Sequence, residues 1–450
     1  MSRKSVCSAL AMLLVLSGLL LVAGPRPAAA EELADRVAKL EAQVEKQTKG
    51  PGIAIGDWRF LPYGYIKVDA VYDDSRVYNG DFLAWVLQEV PLRTNVLSYT
   101  SQANKNQHEF SLTANQTRLD LKVIAPKYGN WESYGLFEID FYGQLTNNTL
   151  GTFDNKPAIL VRHAFIELRN GTWGILAGQT SDPISLQVED TWNYFVGWMA
   201  GNPGYRRPQI RVIKDIPLPD GSKVSAWIGA MRTLEATGLP TGGEEAGFPT
   251  GFARLAYTRP FLGKELLLAV DGHFGRERAD NLSGTTAETA LERNVKSYSG
   301  NVEFIVPLPV GFWLKGEAYY GETMGSYFGG IGQSISIMNT ITGLAASPND
   351  ILGVRVAGGW AQLGWVAIPD KLRFHVGGSV DDVLKSTIPG QSGFTAVGGR
   401  SLNRQFYGNF MYNITPAITT GYEIMHDMTQ YKNGPNGLDL RHQVSMMYKF

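Results

Sequence analysis

From Trp58 to the end of the chain, apolar and polar residues alternate with a period of two. Lys67 and Asp69 alternate with Ile66, Val68 and Ala70. Gln116, Arg118, Asp120 and Lys122 alternate with Thr117, Leu119, Leu121 and Val123, and Glu138 and Asp140 with Phe137, Ile139 and Phe141. Lys371, Arg373 and His375 repeat against Leu372, Phe374 and Val376. The last segment sets Asp439, Arg441 and Gln443 against Leu440, Val444, Met446, Tyr448 and Phe450. A strand turns successive side chains to opposite faces, so each segment has one apolar and one polar face. The pattern predicts about sixteen strands, over 58–72, 109–123, 131–142, 158–168, 173–180, 207–214, 223–232, 251–259, 265–275, 297–306, 311–321, 353–366, 371–381, 400–412, 417–427 and 438–450. Dyads of about ten residues are the pattern of strands that cross a membrane as a closed barrel, apolar outward and polar inward.

Soluble sandwiches also alternate, but the connections here sort by length. Those at 73–108, 181–206 and 322–352 are long, while the intervening ones are short and carry Pro126, Asn170-Gly171, Asp220-Gly221, Pro260, Pro307, Pro369-Asp370 or Pro416. Short turns at one rim and long loops at the other predict an all-β, transmembrane antiparallel β-barrel of about sixteen strands. An even strand count returns both chain ends to one side of the membrane. No mature segment has eighteen consecutive apolar residues, so no membrane helix is expected.

The first residues depart from the dyad. Arg3 and Lys4, the apolar run from Leu10 to Ala23 and Ala28-Ala29-Ala30 form a secretory signal over 1–30. Leu33, Val37, Leu40 and Val44 then follow at the spacing of a coiled-coil seam, giving a helix over 31–49 and a linker over 50–57. Two readings of that helix stand open: a solvated amphipathic segment, or an oligomerising coiled coil on the periplasmic side. The barrel occupies 58–450, and its terminal strand, ending in Tyr448 and Phe450, resembles the terminal strand that the bacterial barrel-assembly machinery recognises.

Composition narrows the function. Aromatics make up 11% of residues, which excludes disorder. One Cys excludes a disulfide scaffold, and a net charge of −1 excludes a broadly basic nucleic-acid binder. No H-E-x-x-H, C-x-x-C or G-x-S-x-G motif is present, so the chain offers no enzyme, metal or cofactor signature. Sixteen strands enclose an aqueous lumen, and the inward rows carry both signs of charge. The connection 181–206 holds Asp182, Glu189 and Asp190 beside Trp192, Tyr194, Phe195 and Trp198. Standing in solvent, it would expose a large apolar patch, so it is expected to fold into the lumen as a constriction. It ends at Arg206-Arg207, with Arg211 on the next strand. Arginines hold carboxylates through paired hydrogen bonds, so Arg206, Arg207 and Arg211, with Arg254, Arg118 and Arg355 on the wall, are candidate anion contacts. Two alternatives remain: these charges merely solvate the wall, or the three acids face them and leave a general, non-selective porin. A barrel enzyme and an envelope tether are weaker readings.

The residues Pro62-Tyr63-Gly64-Tyr65-Ile66-Lys67-Val68-Asp69, Gly178-Gln179-Thr180 before the long third loop, Asn202-Pro203-Gly204 and the terminal Phe450 resemble the DcaP-like trimeric porin family over nearly the whole mature chain. The resemblance implies a sixteen-stranded homotrimer in outer-membrane lipid with a periplasmic N-terminal coiled coil. It also implies passive uptake of small organic anions, dicarboxylates among them.

Overall fold

A computed structural model of the protein describes residues 52–89, 104–143, 157–234, 243–279, 293–337, 351–388 and 399–450. The expected signal, the helix with Leu33, Val37, Leu40 and Val44, and the first part of the linker lie outside the described residues. Sixteen strands form one closed antiparallel barrel. They are β1 (Trp58–Asp73), β2 (Glu109–Thr113 continuing as Arg118–Ile124), β3 (Glu132–Asp140), β4 (Leu160–Asn170), β5 (Trp173–Ser181) and β6 (Arg206–Pro217). Next come β7 (Lys223–Met231), β8 (Thr250–Phe261), β9 (Lys264–Ala279), β10 (Arg293–Pro307) and β11 (Phe312–Glu322). The ring ends with β12 (Arg355–Ile368), β13 (Leu372–Val383), β14 (Arg400–Asn413), β15 (Ile418–Tyr431) and β16 (Gly437–Lys449). Each strand pairs with the next, and β16 pairs with β1 from Tyr65↔Lys449 to Asp73↔Arg441. Closure leaves no sheet edge, which a membrane requires because lipid offers backbone groups no partner.

Every predicted strand is present, displaced by a few residues at its ends. Two details differ. Within the expected linker, Ile53–Ile55 form a short strand that pairs back on the start of β1, with Ile55 opposite Trp58. The last connection, 432–436, is short, so the alternation of long and short links ends before the final hairpin.

The dyad places the two faces as expected. Along β1, Lys67, Asp69 and Asp73 are buried inward, while Ile66, Val68 and Tyr72 stand exposed outward. Val444, Met446, Tyr448 and Phe450 are likewise outward, each about half exposed. Trp58, Trp131, Trp173, Trp365, Phe374 and Tyr448 gather outward near the short-turn rim, the position of an interfacial aromatic girdle. Gly64 lets the seam close: a Cβ there would lie 2.3 Å from the Arg118 carbonyl, and its N–H donates to the Phe450 carbonyl at 3.1 Å. The outward row faces lipid, so Ile424→Arg, in the middle of β15, is expected to cost about 2–4 kcal/mol. Urea unfolding from lipid vesicles reads this out, and an unchanged midpoint would place that face away from lipid.

Candidate functional site

The segment 182–205 leaves β5 and returns at β6, and between those points it lies inside the barrel. A fully buried strut closes its base. The Asp182 carboxylate accepts hydrogen bonds from Arg207 Nε at 2.7 Å, Arg207 Nη2 at 2.9 Å and the Tyr205 N–H at 2.8 Å. Arg207 Nη2 also donates to the Ser326 carbonyl at 3.0 Å, which ties in the connection between β11 and β12. Its guanidinium lies 3.8 Å over the Tyr327 ring.

The loop then runs along the wall from β11 to β16. Lys315 Nζ donates to Asp190 at 2.7 Å and to the Val188 carbonyl at 2.7 Å. The Asp190 N–H donates to Gln362 Oε1 at 2.6 Å, and Gln362 Nε2 returns a bond to Asp190 Oδ2 at 2.7 Å. Glu423 accepts from the N–H groups of Trp192 at 2.9 Å and Asn193 at 3.0 Å. Lys67 Nζ and Gln443 Nε2 both donate to the Trp192 carbonyl, at 2.6 and 3.0 Å. Beyond this the loop crosses the lumen. The Tyr194 hydroxyl donates to Asp140 at 2.7 Å and accepts from Arg162 at 2.7 Å. The returning limb is held by the Met199 N–H on the Phe328 carbonyl at 2.7 Å and the Gly204 N–H on the Tyr327 carbonyl at 2.6 Å.

Aromatic side chains from four connections meet along this path. Counting only the long connections, Phe82 of the first packs 4.3 Å from Phe195, and Tyr142 of the second lies 4.3 Å from Tyr194. Trp198 lies 5.0 Å from Phe328 of the sixth. Their burial supplies what a loop standing in water lacks, and it is why this apolar segment folds inward.

The candidate residues separate into distinct settings. Arg207 is consumed by Asp182. Arg254 is buried between Asp271, at 2.8 Å, and Glu303. Arg118 faces Glu138 at 3.6 Å. Arg355 stands on the outward row of β12, paired with Glu322 at 3.1 Å, and is not on the pore wall where the alternation put it. Arg206 and Arg211 remain: both are buried, and neither has a carboxylate partner among the described residues. Arg206 lies 4.7 Å from the Tyr205 ring and 5.5 Å from the Trp198 ring. Arg211 lies 4.1 Å over Trp227. Arg211 shares the inward row of β6 with Arg207 and Gln209, whereas Arg206, the first residue of the strand, is out of that row and packs against the Trp198 and Tyr205 rings where the loop rejoins the wall.

Nor do the acids form one group. Asp182 serves the strut, while Asp190 and Glu189 turn toward the wall from β11 to β15, away from Arg206 and Arg211. Burial alone would raise the Asp190 pKa, but Lys315 outweighs it and holds the carboxyl below its usual range. Glu189 is buried with neither carboxylate oxygen bonded; burial, then the nearby Glu423, push it up to about 8. A raised folded pKa means the folded state binds the extra proton, so stability falls as pH rises from the ordinary carboxylate range through about 8. Glu189→Gln is therefore expected to gain stability over the native protein by up to about 1.4 kcal/mol per pH unit across that window. Unfolding midpoints at pH 5, 7 and 9 measure it; a constant difference between the two proteins would mean Glu189 is ionised throughout.

Sequence reasoning missed Arg162, which also bonds Asp140 at 2.8 Å. A bulge between Glu138 and Ile139 shifts the register opposite it, so Arg162 and His163 share the inward side and the dyad hides one of them. It also missed the first connection, whose Phe82 carries no signal apart from its hydrophobicity.

No protein-family model matches the chain, and no curated protein matches it in sequence. Solved structures share its fold. The outer membrane channel DcaP of Acinetobacter baumannii superposes with a TM-score of 0.64 at 17% identity, covering 89% of this chain and 99% of that one. Pseudomonas putida OprB gives 0.54 at 9% identity, covering 87% and 94%. An anion-selective porin from Comamonas acidovorans gives 0.51 at 10% identity, covering 87% and 100%. At such identities the likeness establishes the barrel fold.

Proposed function

We propose that the protein is an outer-membrane porin through which small hydrophilic solutes diffuse passively, with small organic anions such as dicarboxylates favoured. The observation that carries this reading is the orientation of the third loop. Its acids point into the wall from β11 to β15 or into the Arg207 strut, which leaves Arg211, on the inward row of β6, and Arg206, at the end of the loop, without a carboxylate of the loop. Guanidinium groups in a narrow, low-dielectric passage attract anions far more strongly than in open water. The fold shared with an outer membrane channel and with an anion-selective porin supports the same reading.

In this reading residues 1–30 are removed on export, Tyr448 and Phe450 present the terminal strand to the assembly machinery, and Leu33, Val37, Leu40 and Val44 join three copies. A general, non-selective porin is the second reading, favoured by Glu138, Asp140 and Glu167 lying among Arg118, Arg162 and Arg169 on one wall. Single-channel recording in planar bilayers separates the two. The proposal expects discrete openings and interruption of the current by millimolar succinate; openings that succinate leaves untouched favour the general porin.

A further inference from the structure

At the rim of long connections, the barrel encloses a cation with which no carboxylate among the described residues pairs. Arg400, at the start of β14, is 3% exposed. Its Nε donates to the Ile331 carbonyl at 3.0 Å, and its guanidinium lies 3.9 Å over the Trp85 ring, which stacks in turn on Tyr78 at 3.9 Å. No carboxylate among the described residues pairs with it, and its Nη1 is buried without an acceptor. The indole Nε1 of Trp85 is in the same state: buried, a donor only, and unbonded. The stretches 90–103 and 389–399, which adjoin these two residues in sequence, contain no Asp or Glu.

Both donors are rigidly placed. Gln333 brackets Arg400, accepting from its N–H at 3.2 Å and donating to its carbonyl at 2.8 Å. Trp85 is fixed on either side: Asn403 donates to the Ala84 carbonyl at 3.0 Å, and the Val86 N–H donates to Thr429 at 2.9 Å. A buried cation that lacks a counter-charge is costly, and a carbonyl with an aromatic face offsets only part of that cost. Two buried N–H donors without acceptors on stacked side chains, one of them cationic, are the donor types that charge-assisted hydrogen bonds to a small anion use.

We propose that Arg400 and Trp85 hold one small monovalent anion, a halide or a carboxylate, between the first and sixth connections and β14. The anion joins three segments that otherwise meet around an uncompensated charge, so its effect is on how firmly the long connections are fastened. This site is separate from Arg206 and Arg211 and does not depend on the transport proposal.

Bromide is the probe. Crystals of the intact mature protein grown in bromide are expected to show an anomalous peak within hydrogen-bond distance of Arg400 Nη1 and Trp85 Nε1. In detergent, the native unfolding midpoint is expected to rise with the logarithm of bromide concentration when bromide replaces gluconate at constant ionic strength. Arg400→Gln should lose both the peak and the rise, and Trp85→Phe, which keeps the ring and removes the donor, should weaken the rise. Should Arg400→Gln fail to fold, the native peak and the Trp85→Phe titration decide. A native map with no peak there, or an equal bromide response in native and Trp85→Phe protein, overturns the proposal.

Discussion

Replacing Asp182 with Ala is expected to destabilise the protein by about 3–5 kcal/mol, the usual cost of removing one partner from a buried ion pair. Both side chains of the strut are completely buried, and among the described residues Arg207 pairs with no second carboxylate. The substitution also leaves the Tyr205 N–H without its side-chain acceptor. Replacing Arg207 with Met alongside Asp182→Ala removes the stranded charge, so the double variant should be more stable than Asp182→Ala alone. Urea unfolding of the folded barrel measures both. A loss below about 1 kcal/mol for Asp182→Ala would mean that water reaches the base of the loop, as at an exposed pair.

Glu423→Ala attacks the same loop at its far end and should act on conduction. The carboxylate accepts the Trp192 and Asn193 N–H groups and, from the wall, Asn409 Nδ2 at 2.8 Å. Alanine orphans two buried backbone donors, each costing about 1–3 kcal/mol. The loop then gains by leaving the wall, and single-channel conductance should become larger and noisier. Conductance identical to native, with normal folding, would show that this part of the loop does not border the conducting path.

The barrel was legible in sequence because membrane and lumen impose opposite polarity on the two faces of each strand. Lys67 and Asp69 against Ile66 and Val68 express that rule directly, and so do Val444 to Phe450. The inward course of the third loop was legible too, from Trp192, Tyr194, Phe195 and Trp198 in a connection that also carries acids. What could not be read was pairing. Nothing in the sequence marks Arg207 as spent on Asp182 and Arg254 as spent on Asp271 and Glu303 while Arg211 stays free, because those contacts depend on cross-strand register and loop path. Arg355 was misplaced because the inward positions beside it, Val354 and Val356, pack into the apolar cluster under the long connections, which inverts the polarity of the row at that rim. Arg162 was hidden by a bulge, which alternation does not register. The helix with Leu33, Val37, Leu40 and Val44 remains a proposal resting on heptad spacing and family resemblance.

In the proposed function, conduction passes beside Arg206 and Arg211, with the loop's acids turned away. The reversal potential of single channels in a tenfold potassium chloride gradient tests it most directly. The native channel should reverse on the chloride side of zero, Arg206→Gln with Arg211→Gln should move it toward the potassium side, and Arg355→Gln, on the outward row, should leave it unchanged. A native channel that reverses on the potassium side, or a double substitution that leaves the reversal potential where it was, would show that Arg206 and Arg211 do not set the selectivity.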